Sequence, residues 1–162
     1  MKKLLTVLFA MLISVGLSTN TAAQVVEEGD ITAGGGITFT TGVGSGEIGI
    51  NAGGYYSITD EIRAGASLHL FFGDFSPTQF NIDGHYIFKN EDDLVIYALA
   101  GIGYWSWSYS GVWGSVSAST TGLNLGGGLE YELDSITLFG EAKLTTIGDM
   151  PLSISGGVRF RF

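Results

Sequence analysis

Serine, histidine and acidic side chains recur in this chain at a spacing of two residues. Ser67 is followed by His69, and Asp83 by His85, while Glu141 lies near the end of the chain. Such residues suggest two kinds of chemistry: a nucleophile, base and orienting acid formed by Ser67, His69 and Glu141, or a metal site of imidazole and carboxylate ligands. Residues two apart lie on the same face of a β-strand. These candidate sites can therefore form only if the segments are strands, and their access to a substrate or metal depends on the direction in which that face points.

Neither chemistry is favoured by the residues. A metal site built from His69, Asn81, Asp83 and His85 would have two histidines and one Asp without close ligand spacing. If Ser67, His69 and Glu141 formed the site of a lipid hydrolase, they would have to lie on a surface that contacts lipid. Ser67 and His69 instead belong to the strand face that carries the charged residues, which would not contact lipid. The Gly-rich residues 42–46 lack the Lys and the following helix of a phosphate loop. We predict no enzyme, no metal site and no cofactor.

Composition narrows the class of protein. The 162 residues allow one domain. With 45% hydrophobic and 14% charged residues the chain is too apolar for disorder, and without cysteine it has no disulfide scaffold. The net charge of −9 argues against nucleic acid, whose phosphates need a basic surface.

The N-terminus has the pattern of an export signal. Two lysines follow Met1, residues 4–17 are mostly apolar, and residues 18–23 are small and polar. This pattern predicts a signal peptide over residues 1–23, cleaved before Gln24. A transmembrane helix would need about 20 apolar residues. The folded domain of the mature protein is therefore predicted to span residues 24–162.

Beyond residue 30 the apolar residues alternate with polar or small ones, which is the period of β-strands. Turn-forming Gly, Asp, Asn and Pro residues separate the segments. The pattern predicts eight strands over residues 31–40, 46–57, 61–72, 78–88, 94–107, 119–133, 135–145 and 152–162.

Each predicted strand except the fifth has one apolar and one polar face. The polar face carries the charged residues that we predict to form lumen salt bridges or a gate: Glu47, Arg63, Asp83, Glu130, Glu132, Glu141, Lys143, Arg159 and Arg161. The fifth strand is ambiguous because both of its faces are apolar. We assign its Val95, Tyr97, Leu99, Trp105 and Trp107 to the apolar face.

The two faces fit a soluble barrel or, with inside and outside exchanged, a membrane barrel. Soluble domains carry about 25% charged residues, and this chain carries 14%. The strands also match the roughly 9–11 residues needed to cross a bilayer, and closure pairs every backbone group. The predicted fold is all-β: an eight-stranded antiparallel up-and-down transmembrane β-barrel.

Aromatic residues are expected at both membrane interfaces. With both termini on one side of the membrane, the connections on the opposite, outer side are residues 41–45, 73–77, 108–118 and 146–151. The predicted upper girdle consists of Trp105, Trp107, Tyr109 and Trp113. The predicted lower girdle consists of Tyr56, Phe88, Tyr131, Phe160 and Phe162.

The chain ends Val158-Arg159-Phe160-Arg161-Phe162, an alternating strand with a terminal Phe. This ending resembles the signal that the assembly machinery of the Gram-negative outer membrane reads, so Phe160 and Phe162 are the candidate assembly signal. Together with Gly-rich strands such as residues 126–131, the chain resembles the small eight-stranded outer-membrane barrels typified by OmpA and OmpX. The resemblance implies a bacterial outer-membrane location, lipid and the assembly machinery as partners, and no set activity.

An eight-stranded barrel has an interior that side chains can fill. We therefore predict mainly a structural membrane component with a lumen filled by salt bridges, monomeric or weakly associated. One alternative is a narrow or gated channel for small solutes or ions, in which Arg159 or Arg161 moves between Glu partners. Another is a surface-interaction protein acting through the aromatic loop 108–118.

Overall fold

The computed structural model describes residues 25–41, 46–72, 77–111, 114–133 and 136–162, with only the backbone of residues 108–111 and 114–116. The predicted signal peptide lies outside these residues. Eight strands form, and each lies within a few residues of its predicted position. They are β1 (Ile31–Thr40), β2 (Glu47–Ser57), β3 (Ile62–Phe72), β4 (Thr78–Glu91), β5 (Leu94–Gly111), β6 (Gly114–Leu133), β7 (Ile136–Thr145) and β8 (Leu152–Arg161).

The strands close into one barrel. Each pairs antiparallel with the next along the chain, and β1 pairs with β8. Closure removes the open edges whose backbone groups would be unpaired in lipid. The predicted up-and-down β-barrel is confirmed. In the described part of the chain, no helix is long and apolar enough to cross a membrane.

The barrel has two different ends. At the terminal end lie the N-terminal residues 25–30, the end of β8 and the tight turns. In one of these turns, Asp92 and Asp93 both have positive φ, as a two-residue hairpin turn of type I′ requires. At the loop end lie the connections between β1 and β2, β3 and β4, β5 and β6, and β7 and β8. The inward side chains fill the lumen between these two ends.

The apolar face of β1–β4 and β6–β8 points outward, as predicted. Ile82 is 59% exposed, while Arg63 on the neighbouring strand is fully buried in the lumen. Large outward residues of this kind are exposed all around the wall, whereas the charged residues of the same strands face inward. The outer surface is thus suited to acyl chains and the inner one to polar contacts.

The predicted orientation of β5 is wrong. Val95, Tyr97, Leu99 and Trp105 are buried in the lumen, and Ile102 is among the exposed residues of the opposite face. The reason is that the lumen is itself apolar near the terminal end, so β5 contributes apolar side chains inward and outward alike. Alternation cannot orient a strand whose two faces match.

The connection between β5 and β6 is also shorter than predicted. The two strands pair as far as Gly111 and Gly114, so most of the predicted 108–118 loop is strand. On β5 the last residue paired with β4 is Ser106, and on β6 the first residue paired with β7 is Asn124. The hairpin therefore extends past the barrel wall, because its own backbone pairing continues beyond the neighbouring strands.

The upper girdle differs in the same region. Trp105 is buried and Trp107 is half-buried. The side chain of Tyr109 and all of Trp113 lie outside the described residues. Exposed aromatic residues near the loop end instead come from four strands: Phe39, Phe72, Phe80 and Tyr104. At the terminal end Tyr56, Tyr131, Phe160 and Phe162 are exposed as predicted, joined by Tyr86, while Phe88 is half-buried.

The seam between β1 and β8 requires glycine. A Cβ added to Gly36 would overlap the backbone of Gly156 and Gly157, whereas a Cβ added to Gly140 meets nothing within 4 Å. We expect Gly36→Ala to lower the stability of the refolded barrel by roughly 1–3 kcal/mol because β1 must move away from β8. The matched control Gly140→Ala should leave the urea midpoint near that of the parent; equal midpoints for both variants would contradict a tight seam.

Candidate functional site

Six of the predicted lumen residues form one buried network. Its three carboxylates and three cations balance in formal charge. The network consists of Asp83, Glu130 and Glu141 with Arg63, Lys143 and Arg159. Each of the six side chains is at most 5% exposed. Since a buried ion without a partner is very costly, such balance is what permits the charges inside the wall.

Glu130 is the centre of the network. Its two carboxylate oxygens accept hydrogen bonds from both terminal nitrogens of Arg63, which form the fork that suits a planar guanidinium. Arg159 donates to the same carboxylate and also lies 3.6 Å from an oxygen of Glu141. Because Arg63 and Arg159 come from β3 and β8 and Glu130 from β6, this contact ties three strands together across the lumen.

A second branch lies nearer the loop end. The ammonium of Lys143 is 2.6 Å from Asp83 and 3.4 Å from Glu141. The Asn124 side-chain amide donates to Asp83 at 2.8 Å and to Asn81 at 2.9 Å, which continues the network into uncharged polar side chains. Hydrogen bonds thereby satisfy the oxygens that the cations leave free.

Aromatic rings hold the two arginines in place. The Arg159 guanidinium carbon is 4.4 Å from the centre of the Tyr55 ring, and that of Arg63 is 4.9 Å from the centre of Tyr97. Tyr97 stacks on His85 with ring centres 4.4 Å apart and donates its hydroxyl to Glu141 at 2.9 Å. Arg63 donates from Nε to Nδ1 of His85 at 3.0 Å. Rings and charges together fill this layer of the lumen.

The other three predicted lumen residues lie elsewhere. Arg161 pairs with Glu132 at 2.7 Å and lies 3.4 Å from Asp30, and all three are partly exposed at the terminal end. Glu47 is buried at the loop end of β2. The predicted set thus separates into a central network, a rim pair and one residue near the mouth.

Ser67 and His69 are in contact but do not form a triad with Glu141. The Ser67 hydroxyl lies 3.3 Å from Nε2 of His69 and accepts a hydrogen bond from Asn81. Glu141 is engaged by Tyr97 and by cations instead. Among the residues that the structure describes, no group of three or more His, Asp or Glu side chains is placed to hold a metal ion.

Residues 25–29 close the terminal end, and we call them the strap. Val25 and Val26 are 4% and 2% exposed and pack with Ile87, Val95, Tyr97 and Leu99 in an apolar cluster inside the lumen. This cluster explains why β5 points apolar side chains inward. The strap thus covers the lumen at this end.

Side-chain amides and backbone groups fasten the strap. The side-chain oxygen Oδ1 of Asn90 accepts hydrogen bonds from the backbone N–H groups of Val25 and Val26, each at 2.9 Å. Its side-chain nitrogen Nδ2 donates to the backbone carbonyl of Val26 at 2.7 Å. The Glu28 N–H donates to Asp60 at 2.8 Å. Asn90 thus replaces the strand partner that this short segment lacks.

Aromatic packing narrows the loop end. Phe71 and Trp105 stack with ring centres 5.6 Å apart and planes within 6°. Both are nearly fully buried. Beside the central network, a cavity of about 10 Å³ is lined in part by Glu141, Ser155 and Arg159. That is about the space of one water molecule.

Tyr97 and Asn124 are the network residues that the sequence did not indicate as site residues. The sequence pattern predicts Tyr97 on the lipid face with Val95, Leu99, Trp105 and Trp107, and Asn124 is an uncharged member of a polar face. One signal for β5 was present: Gly101 and Gly103 alternate with the apolar Ala100 and Ile102. Glycines at inward positions leave room for Asp83 and Asn124, whose side chains a Cβ there would meet.

The fold and site define a class: a small barrel with an apolar exterior and an ionic interior, as in outer-membrane barrels. The model of the outer membrane protein beta-barrel domain matches residues 8–162. The chain therefore belongs to the outer membrane protein beta-barrel domain family, which confirms the predicted family. No curated protein matches the chain in sequence.

Several solved structures share the fold. The N-terminal β-barrel domain of Pseudomonas aeruginosa OprF is 17% identical with a TM-score of 0.67, covering 84% of this chain and 98% of that chain. Ail, the attachment invasion locus protein of Yersinia pestis, is 19% identical with a TM-score of 0.63, covering 83% and 99%. Pseudomonas aeruginosa OprG is 12% identical with a TM-score of 0.65, covering 84% and 97%. At these identities the likeness is one of fold.

Proposed function

We propose that this protein is a structural component of the bacterial outer membrane whose lumen is closed to solutes. The observation that carries the proposal is the filled interior: the strap covers the terminal end, the six-residue network spans the middle, and Phe71 and Trp105 pack near the loop end. A pore for general diffusion needs a wider barrel. Ser67 and His69 lie inside this closed lumen, so we infer no catalytic role for them.

The test is conductance. We expect purified, refolded protein in planar bilayers to show no steady ion current at moderate voltage, because moving an ion past the buried network means breaking paired charges. A general porin measured in the same bilayers provides the positive control. A steady current with defined steps from the parent protein would overturn the closed lumen.

A narrow gated channel is the second candidate function, and the position of Arg159 favours it. Its guanidinium already contacts Glu130 and lies 3.6 Å from Glu141, so exchange between the two carboxylates needs a small movement. Under this alternative, brief voltage-dependent openings would appear, and Glu141→Gln would change their frequency. Their complete absence at every voltage would remove the candidate.

We further propose that the chain is exported and inserted as a monomer with its terminal end toward the periplasm. The N-terminal pattern supports a signal peptide cleaved before Gln24, and the exposed Phe160 and Phe162 support recognition by the assembly machinery. Intact-mass measurement of the membrane-extracted protein should give a chain beginning at Gln24. A mass that retains residues 1–23 would contradict the cleavage.

Surface interaction through the extended β5–β6 hairpin is a third candidate, supported by its reach beyond the wall. Ail has also been solved with the heparin analogue sucrose octasulfate. We do not extend binding of such a polyanion to this chain, because its loop-end segments, residues 41–45, 73–77, 107–118 and 146–151, contain neither Lys nor Arg. A polyanion requires cationic partners.

A further inference from the structure

A pocket lies at the loop end, above the Phe71 and Trp105 layer and apart from the lumen network. Its volume is about 150 Å³. An apolar protein cavity of similar volume holds benzene. The pocket is lined by Pro77, Trp105, Trp107, Ile147, Gly148, Asp149 and Pro151. Two indoles, two prolines and one carboxylate therefore meet around a space of small-ligand size.

The floor of the pocket is fixed by packing. Trp105 is buried and stacked on Phe71. On the opposite side, a Cβ added to Gly122 would overlap the side chain of Ile147, so Ile147 rests directly on β6. The absence of a side chain at Gly122 allows the β7–β8 connection to lean over the mouth toward the two tryptophans.

Hydrogen bonds hold that connection in place. The Thr146 N–H donates to the Leu123 carbonyl at 2.8 Å, and the Leu123 N–H donates to the Thr146 hydroxyl at 2.9 Å. The Thr145 N–H donates to the Pro151 carbonyl at 3.1 Å, and the Met150 N–H donates to the Ile147 carbonyl at 2.7 Å. A site already held in shape loses little conformational freedom when a ligand binds.

The electrostatics of the pocket favour a cation. Indole rings attract cations through their electron-rich faces, and Asp149 is exposed at the rim. The loop-end segments carry Asp74 and Asp149 and neither Lys nor Arg. An anion in the pocket would meet the carboxylate of Asp149, and the pocket lining supplies no cationic partner for it.

The apolar walls restrict the kind of cation. Pro77, Pro151 and Ile147 offer no hydrogen-bond acceptor from their side chains, so a primary ammonium would lose hydration that these walls do not replace. A quaternary ammonium carries its charge under methyl groups and needs no such acceptor. We propose that this pocket binds trimethylammonium groups, either of a free solute or of a lipid headgroup at the membrane surface.

The test uses choline and its uncharged isostere 3,3-dimethylbutan-1-ol, which differ only in nitrogen against carbon. Protein with Trp113→Phe and fluorinated tryptophan would be refolded in a detergent without choline. We expect the ¹⁹F signals of Trp105 and Trp107 to shift and saturate with choline at constant ionic strength. The isostere should bind at least about tenfold more weakly, the size of a desolvated cation–π contact.

Two variants locate the site. Asp149→Asn should weaken choline binding roughly twofold to fivefold, as expected for an exposed ion pair. The matched control Glu61→Gln, an exposed acid at the terminal end, should leave it unchanged. Equal binding of choline and its isostere, or equal affinity of the Asp149→Asn variant and the parent, would overturn the proposal, as would unchanged ¹⁹F signals at saturating choline.

Measurements in nanodiscs distinguish the two possible sources of the trimethylammonium group, a free solute and a lipid headgroup. In phosphatidylglycerol discs we expect the signals to shift only when choline is added. If the pocket takes lipid headgroups, the signals in phosphatidylcholine discs will already be shifted and choline will add nothing. If it takes free solutes, both kinds of disc will titrate alike.

Discussion

Replacing Glu130 by Gln is expected to destabilise the barrel by about 3–5 kcal/mol, the usual effect of removing one partner of a buried ion pair. The variant leaves Arg63 and Arg159 buried with one fewer carboxylate, and the ion pairs of Glu141 are with Lys143 and Arg159 rather than with Arg63. The measurement is the urea midpoint of the refolded protein, followed by the heat-modifiable band on a gel.

The control lies two residues away on the same strand. Glu132 faces the same side and pairs with Arg161, but both side chains are more than a quarter exposed. Because water screens such pairs, Glu132→Gln should change the stability by less than about 1 kcal/mol. If the two variants unfolded at the same urea concentration, burial would not be what makes the Glu130 contact important.

A double variant distinguishes pairing from mere polarity. Replacing Arg63 and Glu130 together by Met removes both members of the fork, although Arg159 then depends on Glu141 alone. We expect the double variant to be more stable than the sum of the two single losses predicts, because no unpaired charge remains at the fork. Additive losses would mean that the two residues act independently.

The strand pattern could be predicted from the sequence, and so could the inward positions of the charges. Alternation identifies which residues share a face, and the apolar side chains at Leu68 and Leu138 lie outward as the membrane interpretation requires. The partners could not be predicted. Glu130 contacts arginines on β3 and β8, which are not its neighbours in the sheet, and such contacts depend on how side chains cross the closed lumen.

The strap was beyond prediction for a related reason. Val25 and Val26 lie immediately after the expected cleavage site and form too short a segment to show a strand period. Their burial depends on Asn90, more than 60 residues along the chain, whose side chain supplies three hydrogen bonds. The strap packs on Val95, Tyr97 and Leu99, which point inward from β5. The orientation of these residues therefore could not be predicted without the strap.

Release of the strap is expected to expose the terminal end of the lumen without unfolding the barrel. Val26→Asp puts a carboxylate into the apolar cluster, where it loses hydration without gaining a partner, and it also loses about 1.5–3 kcal/mol of apolar burial. Asn90→Ala removes the three hydrogen bonds that fasten the segment. Either change should favour the open form, because the burial of Val25 and Val26 and the hydrogen bonds of Asn90 hold this part of the strap in place.

A cysteine at Val95 would report the opening, since the chain has no cysteine of its own. Val95 is fully buried under the strap, so a membrane-impermeant maleimide should label Val95→Cys slowly in the parent. Labelling should become at least about tenfold faster with Val26→Asp, since each 1.4 kcal/mol changes an opening equilibrium tenfold.

Two controls test whether the labelling of Val95→Cys reports opening of the strap alone. Glu28→Ala alters an exposed strap side chain and should leave the labelling rate of Val95→Cys unchanged. A reporter at Thr40, fully buried at the loop end, should stay protected when Val26→Asp is present, because the wall and the Glu130 network remain intact. Labelling of both reporters at once would show that the whole barrel opens, and the strap would then be part of the fold's stability rather than a separate cover.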